Sequence, residues 1–137
     1  MADHSFPKHV RLLTAADYKA VFSSAQIKVS CRYFLILAIQ NHWLHSRLGL
    51  VVAKKNVAKA VQRNRIKRIV REFFRQHGNQ MPGLDLVVLA RKDVDTLLNN
   101  QLKSRLAKLW LDLGSKHEQV KTRTGHTAKD KQNAQPI

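Results

Sequence analysis

Residues Lys54–Arg75, KKNVAKAVQRNRIKRIVREFFR, carry nine lysines or arginines in 22 positions and one acid, Glu72. Drawn at 100° per residue, Ala58, Ile66, Ile69, Val70, Phe73 and Phe74 share one arc, the signature of a helix with a buried stripe. Arg65, Lys67, Arg68, Arg71 and Arg75 lie on the other arc, with Asn64 among them. A solvated helix face normally mixes charge signs. Here like charges repeat at i, i+4 through Arg63, Lys67, Arg71 and Arg75, which costs stability unless an anion neutralises them. A dense cationic ridge suits a regular array of negative charge, and nucleic-acid phosphate is the commonest such array. Within it, Arg63-Asn64-Arg65 sets a planar amide between two guanidiniums, which can grip phosphate bidentately.

Working outward, this helix is expected from about residue 57 to 77, with Gly78 as its stop. Upstream, Leu48 to Ala53 (LGLVVA) and Arg32 to Gln40 (RYFLILAIQ) read as strands rich in branched and aromatic residues. The short connection His42 to Ser46 predicts that they run antiparallel. Before them, Thr14-Ala-Ala-Asp17 is a helix start in which threonine and aspartate face the exposed amides. That helix should reach Ser24, with Tyr18 and Phe22 one turn apart. Residues 1–10, with Pro7 and two histidines, read as irregular.

Downstream, Met81 to Leu84 is a turn and Asp85 to Ala90 (DLVVLA) a third strand. Asp93 or Asp95 should cap a last helix bearing Leu98, Leu102, Leu106, Leu109, Trp110 and Leu113, ending at Gly114. The order α-β-β-α-β-α predicts an α+β sandwich, helices packed on a small sheet. Residues 1–114 form one domain in this reading, and the polar residues 115–137 a disordered basic tail.

Composition bounds the function. A chain of 137 residues, 44% hydrophobic, has room for one real core. Its net charge of +16 calls for an anionic partner. No apolar run is long enough for a membrane span, and MADHSFPKHV lacks the apolar stretch of a signal peptide, so a cytoplasmic location is expected. The single Cys31 is expected to be a reduced, structural thiol. Of nine acids only Asp93 and Asp95 lie close together, and they suit a helix start. No HExxH, CxxC, GxSxG or glycine-rich phosphate loop occurs, and His42 and His45 have no partnering ligand nearby in sequence. A nuclease with its own two-metal chemistry needs clustered carboxylates, which this sequence does not show.

The stretch Gly49-Leu-Val-Val-Ala-Lys-Lys55, followed by Ala60-Val61 and Arg63-Asn64-Arg65-Ile66-Lys67-Arg68, resembles the signature of the protein subunit of bacterial ribonuclease P. Arg11-Leu12, Tyr18 and Val21-Phe22 upstream, and Asp85 to Lys92 with the last helix downstream, extend the resemblance over about residues 6 to 113. It implies a small partner of a large catalytic RNA, which together hydrolyse the bond joining the 5′ leader to precursor tRNA. The RNA would hold the Mg2+ ions, with no cofactor on the protein, no obligatory protein partner and no membrane. It also implies a sandwich like the second domain of ribosomal protein S5, with the basic helix in a left-handed crossover between parallel strands. Sequence rules alone favour the right-handed form.

Residue by residue, the resemblance assigns Lys54, Lys55, Arg63, Asn64, Arg65, Lys67, Arg68 and Arg71 to the catalytic RNA. Tyr18 and Phe22 would line a cleft for the single-stranded leader, where aromatic faces stack on bases with little sequence demand. Core packing is the competing reading for these two rings. Arg11, Lys28 and Arg32 would contact leader phosphates. Leu37 stands where some relatives carry a cleft-facing aromatic, and Ala58-Lys59 where some read Gly-Asn. A general RNA-binding module on the same sandwich remains the alternative; it explains the charge but not the long motif of fixed spacing.

Overall fold

The computed structural model describes residues 11–12, 14–41 and 45–129; the side chains of residues 79 and 119–129 are not part of that description. The expectations for residues 1–10, for His42 and for residues 130–137 therefore fall outside the described residues.

Helix α1 spans Ala15–Ser24 and starts as its sequence requires. The Thr14 hydroxyl accepts from the Asp17 amide at 3.1 Å, and the Asp17 carboxylate accepts from the Thr14 amide at 3.4 Å. Strands β1 (Ile27–Ser30), β2 (Phe34–Gln40) and β3 (Arg47–Val51) follow, then helix α2 (Ala60–His77), strand β4 (Leu84–Ala90) and helix α3 (Asn99–Lys129). The sequence reading missed β1. Its four residues bury only Ile27 and Val29, and so short an alternation passes for a loop.

The sheet order is β1-β2-β4-β3. Strand β4 pairs antiparallel with β2, Phe34 opposite Ala90, and parallel with β3, Gly49 opposite Val87. Strands β2 and β3 thus run antiparallel as expected but never touch, because β4 lies between them. Helix α2 is the crossover joining parallel neighbours β3 and β4.

One face of the sheet is closed. Phe34, Ile36, Leu84, Leu86 and Val88 meet Ile66, Ile69, Val70 and Phe74 of α2 and Leu102, Leu106, Leu109 and Leu113 of α3 in one buried cluster. The predicted stripe of α2 is this contact, with Phe73 half-buried at its border. The opposite face carries α1 alone, through Val21 against Val87 and Leu12.

Three helix ends differ from expectation. Helix α2 begins at Ala60 rather than near residue 57, because the chain turns first: the amides of Asn56 and Val57 bond to the Ala53 carbonyl, and Val57 is buried. Neither Asp93 nor Asp95 caps α3. Asp93 is left-handed (φ 71°) ahead of a single 3-10 turn at Val94–Thr96, and the Gln101 side chain accepts the Leu98 amide where α3 starts. Nor does α3 stop at Gly114. It continues to Lys129, through residues read as tail; His117 is buried, and the Lys116 ammonium donates to the Lys28 carbonyl at 3.0 Å. A glycine ends a helix only where the following residues have nothing to pack on, and these have the β1 edge.

Candidate nucleic-acid interface

Helix α2 presents its cations in three different states. Asn64 and Arg68 are exposed and available to a partner. Arg63 is turned back: its guanidinium donates to the carbonyls of Val57 (3.0 Å) and Ala58 (2.8 Å), satisfying the turn that precedes the helix. Arg65 donates to Gln62 (2.8 Å), to the Asn99 side chain (2.7 Å) and to the Asp95 carbonyl (3.2 Å). It therefore fastens α2 to the start of α3. Two arginines that sequence reasoning gave wholly to RNA already hold protein groups.

Lys67 and Arg71 form the third state. With Arg11, Leu12, Tyr18, Leu48 and Leu50 they line a cavity of about 230 Å³ at the β3 edge. The Nε of Arg11 is buried there without a hydrogen-bond partner. Three cations converging on a small pocket, one with an unused donor, suit a phosphate. Arg11, expected along the leader groove, is thus placed beside the α2 cations.

The other face owes its shape to a close approach. A Cβ on Gly49 would lie 2.8 Å from the Tyr18 ring, so only glycine lets that ring lie on β3. The Tyr18 hydroxyl accepts from the Leu50 amide at 3.2 Å, and the Leu12 amide donates to the Leu48 carbonyl at 3.0 Å. These bonds close the β3 edge and seat the first turns of α1. A buried clip completes the seating. Arg47 donates to both Asp85 oxygens at 2.9 and 2.6 Å and lies 3.6 Å from Asp17 of α1. The hydrogen bond to Asp85 is the main cause that raises the Arg47 pKa, against the opposing pull of burial. A raised guanidinium pKa keeps this contribution in full at neutral pH and loses it only far into alkali.

Helix α1 enters at the β3 end held by Arg47 and delivers the chain to the end of β2 near Gln40, where the Gln26 amide bonds to the Ala38 carbonyl. The sheet beyond it is uncovered. Leu35, Leu37, Val51 and Leu89 are only half-buried there, with Lys28 and Ser30 of β1 exposed beside them. Phe22, 46% exposed, stands on the α1 wall of this apolar floor, whereas Tyr18 is half-buried and packed. The competing core reading therefore holds in part for Tyr18 and not for Phe22.

The carboxyl ends of β3 and β4 supply the opposite rim. Lys54 and Lys55 leave β3, Arg91 and Lys92 leave β4, and Arg32 lies in the β1–β2 turn, all exposed. The Asn56 side chain bonds to the Ala90 carbonyl (3.1 Å) and the Arg91 amide to the Tyr33 carbonyl (2.9 Å), drawing the three segments together. Sequence reasoning found Leu37, Lys28 and Arg32 but missed Leu35, Val51, Leu89, Arg91 and Lys92. The signal available was the alternation of β2 and β4, once β4 is known to lie centrally. Among the described residues no three His, Cys, Asp or Glu side chains gather to hold a metal ion, and no helix is long and apolar enough to cross a membrane.

A mixed sheet, closed by a cationic crossover helix on one side and left half open between a ring and a basic rim on the other, defines an RNA-binding α+β protein. Comparison with known proteins carries this further. The profile of the family described as Ribonuclease P matches residues 6–114. The ribonuclease P protein component of Marinobacter nauticus is 49% identical over 115 residues, covering 84% of this chain and 86% of that protein. That of Chromohalobacter salexigens is 47% identical over 110 residues, covering 80% and 86%. The solved structure of Staphylococcus aureus RNase P protein superposes with a TM-score of 0.69 at 30% identity, covering 74% of this chain and 92% of that one. The chain belongs to the ribonuclease P protein family. That family provides the protein component of the ribonucleoprotein that processes the 5′ leader of tRNA, and the chain works with the ribonuclease P RNA.

Proposed function

We propose that the chain docks on the catalytic RNA through the exposed side of α2, holds the 5′ leader of precursor tRNA on the open half of the α1 face, and leaves the chemistry to the RNA. The observation that carries this reading is the uncovered floor of Leu35, Leu37, Val51 and Leu89, set between Phe22 and the basic rim. An apolar floor, a free ring and flanking cations suit an unpaired strand, whose bases stack while its phosphates meet charge. Mature tRNA has no leader to fill the floor, so affinity gained there favours substrate over product.

Asn64, Arg68, Lys54 and Lys55 are the outward contacts to catalytic RNA in this reading, and Arg11, Lys67 and Arg71 share one phosphate. Arg63 and Arg65 shape the surface and reach RNA only by exchanging the bonds they now make. Asp17, Glu72, Asp85 and Asp93 are each paired with a cation of the protein, which fits placing the Mg2+ ions on the RNA. The protein lowers the repulsion between two polyanions and so the demand for divalent cations.

The test is 5′ cleavage of a precursor tRNA at low magnesium by protein alone, by ribonuclease P RNA alone and by both. Cleavage is expected with both, far above RNA alone, and none with protein alone. Cleavage by the protein alone would overturn the division of labour. Equal rates with and without protein would reduce it to a general RNA-binding module.

A further inference from the structure

The turn between β1 and β2 carries a cluster that neither α2 nor the leader floor accounts for. The guanidiniums of Arg32 and of Arg105, from α3, each lie 5.4 Å from the centroid of the Tyr33 ring. A third guanidinium, Arg91, donates to the Cys31 carbonyl at 3.2 Å, and the Arg91 amide bonds to the Tyr33 carbonyl. Three arginines from three separate elements thus gather around one half-buried tyrosine. Only one acid answers them: Asp93, 3.5 Å from Arg32, in a pair whose side chains are 71% and 47% exposed. An exposed ion pair of that kind neutralises little. Guanidiniums brought together on a ring, with most of their charge unanswered, match phosphates and bases in succession.

The position says which strand would reach it. Catalytic RNA is placed at α2, whose cations share a cavity with the β3 edge. Strand β1 is the opposite edge of the sheet, about 14 Å away at the usual strand spacing. A leader that starts at the α2 side and crosses Leu89 and Leu35 arrives at the β1–β2 turn, since Tyr33 precedes Phe34 and Leu35 directly. The geometry points to a second leader site at Tyr33, Arg32 and Arg105, occupied only by leader nucleotides too far from the cleavage point for the floor to hold. This inference rests on the leader reading above and adds to it a dependence on leader length.

The experiment uses the reconstituted ribonucleoprotein with Arg105→Gln, Tyr33→Ala and Tyr33→Phe proteins. Affinity is measured for mature tRNA and for precursors whose leaders are shorter and longer than about 4 nucleotides, the lower bound of a single-strand site. Long leaders should bind about tenfold more weakly to the Arg105→Gln and Tyr33→Ala particles, with short leaders and assembly with the catalytic RNA unchanged. Tyr33→Phe keeps the ring and should keep the affinity, which separates loss of the site from loss of the fold. Equal losses on short and long leaders, weakened assembly with the catalytic RNA, or no loss at all would each overturn the inference. If the unsubstituted particle did not prefer even short-leader precursor over mature tRNA, the leader reading itself would fail, and this site with it.

Discussion

The two faces of one sheet have opposite fates in this molecule. Helices α2 and α3 close the first, so that Phe34, Leu84 and Leu86 have no solvent exposure at all. The second is covered by ten residues of α1, and the strand residues beyond it stay half exposed. The same strands supply both faces with aliphatic side chains of similar kind, so hydrophobicity alone does not explain the difference. What differs is the amount of helix the chain lays across each. Stability resides on the closed face and binding on the open one, which separates the residues that fold the protein from those that meet RNA.

Substitutions of matched size on the two faces should break the symmetry most. Phe34→Ala removes a fully buried ring and should cost about 3–5 kcal/mol in chemical denaturation. Leu35→Ala, one residue away on the open face, should leave the denaturation midpoint nearly unmoved. A similar loss at both sites would mean that the second face is core as well.

The clip that seats α1 comes next. Arg47→Ala leaves Asp85 without its partner at a site where that side chain is 10% exposed, and should destabilise by about 3 kcal/mol. If the clip serves only α1, precursor preference should fall in the folded variant while assembly with the catalytic RNA persists. Gly49→Ala sharpens the same point at smaller cost, about 1–3 kcal/mol, because the added carbon meets the Tyr18 ring at 2.8 Å. Loss of the Leu50-to-Tyr18 hydrogen bond should appear as faster amide exchange at Leu50.

Smallest in stability and most diagnostic in function are the exposed groups. Phe22→Ala should barely move the melting curve and should weaken precursor binding about tenfold, one stacked base being worth ~1–3 kcal/mol. Arg68→Ala should instead weaken assembly with the catalytic RNA and lower the salt slope of that binding by about 0.7–0.9. One shared defect for both variants would merge the two surfaces into one.

Much of this was legible beforehand, where the information was local. The stripe Ile66, Ile69, Val70, Phe74 is a matter of helical period, and the Thr14–Asp17 start depends on four consecutive residues. Strand β1 was not legible, since Ile27 and Val29 become strand residues only by pairing with Ala38 and Ile36. Nor was the occupation of Arg65, whose partners Asp95 and Asn99 lie about thirty residues on. RYFLILAIQ is apolar on both faces, and such a run does not say which face a helix will cover.

By itself, then, the sequence determined a cationic amphipathic helix, a capped first helix and apolar strands, because each follows from the spacing of neighbours along the chain. Only the tertiary structure decided that β4 enters between β2 and β3, that Arg11 joins Lys67 and Arg71, and that half of one face stays open. The physical reason is that strand order and helix coverage depend on which distant groups satisfy one another's hydrogen bonds and bury one another's surface, and periodicity along the chain carries no record of that choice.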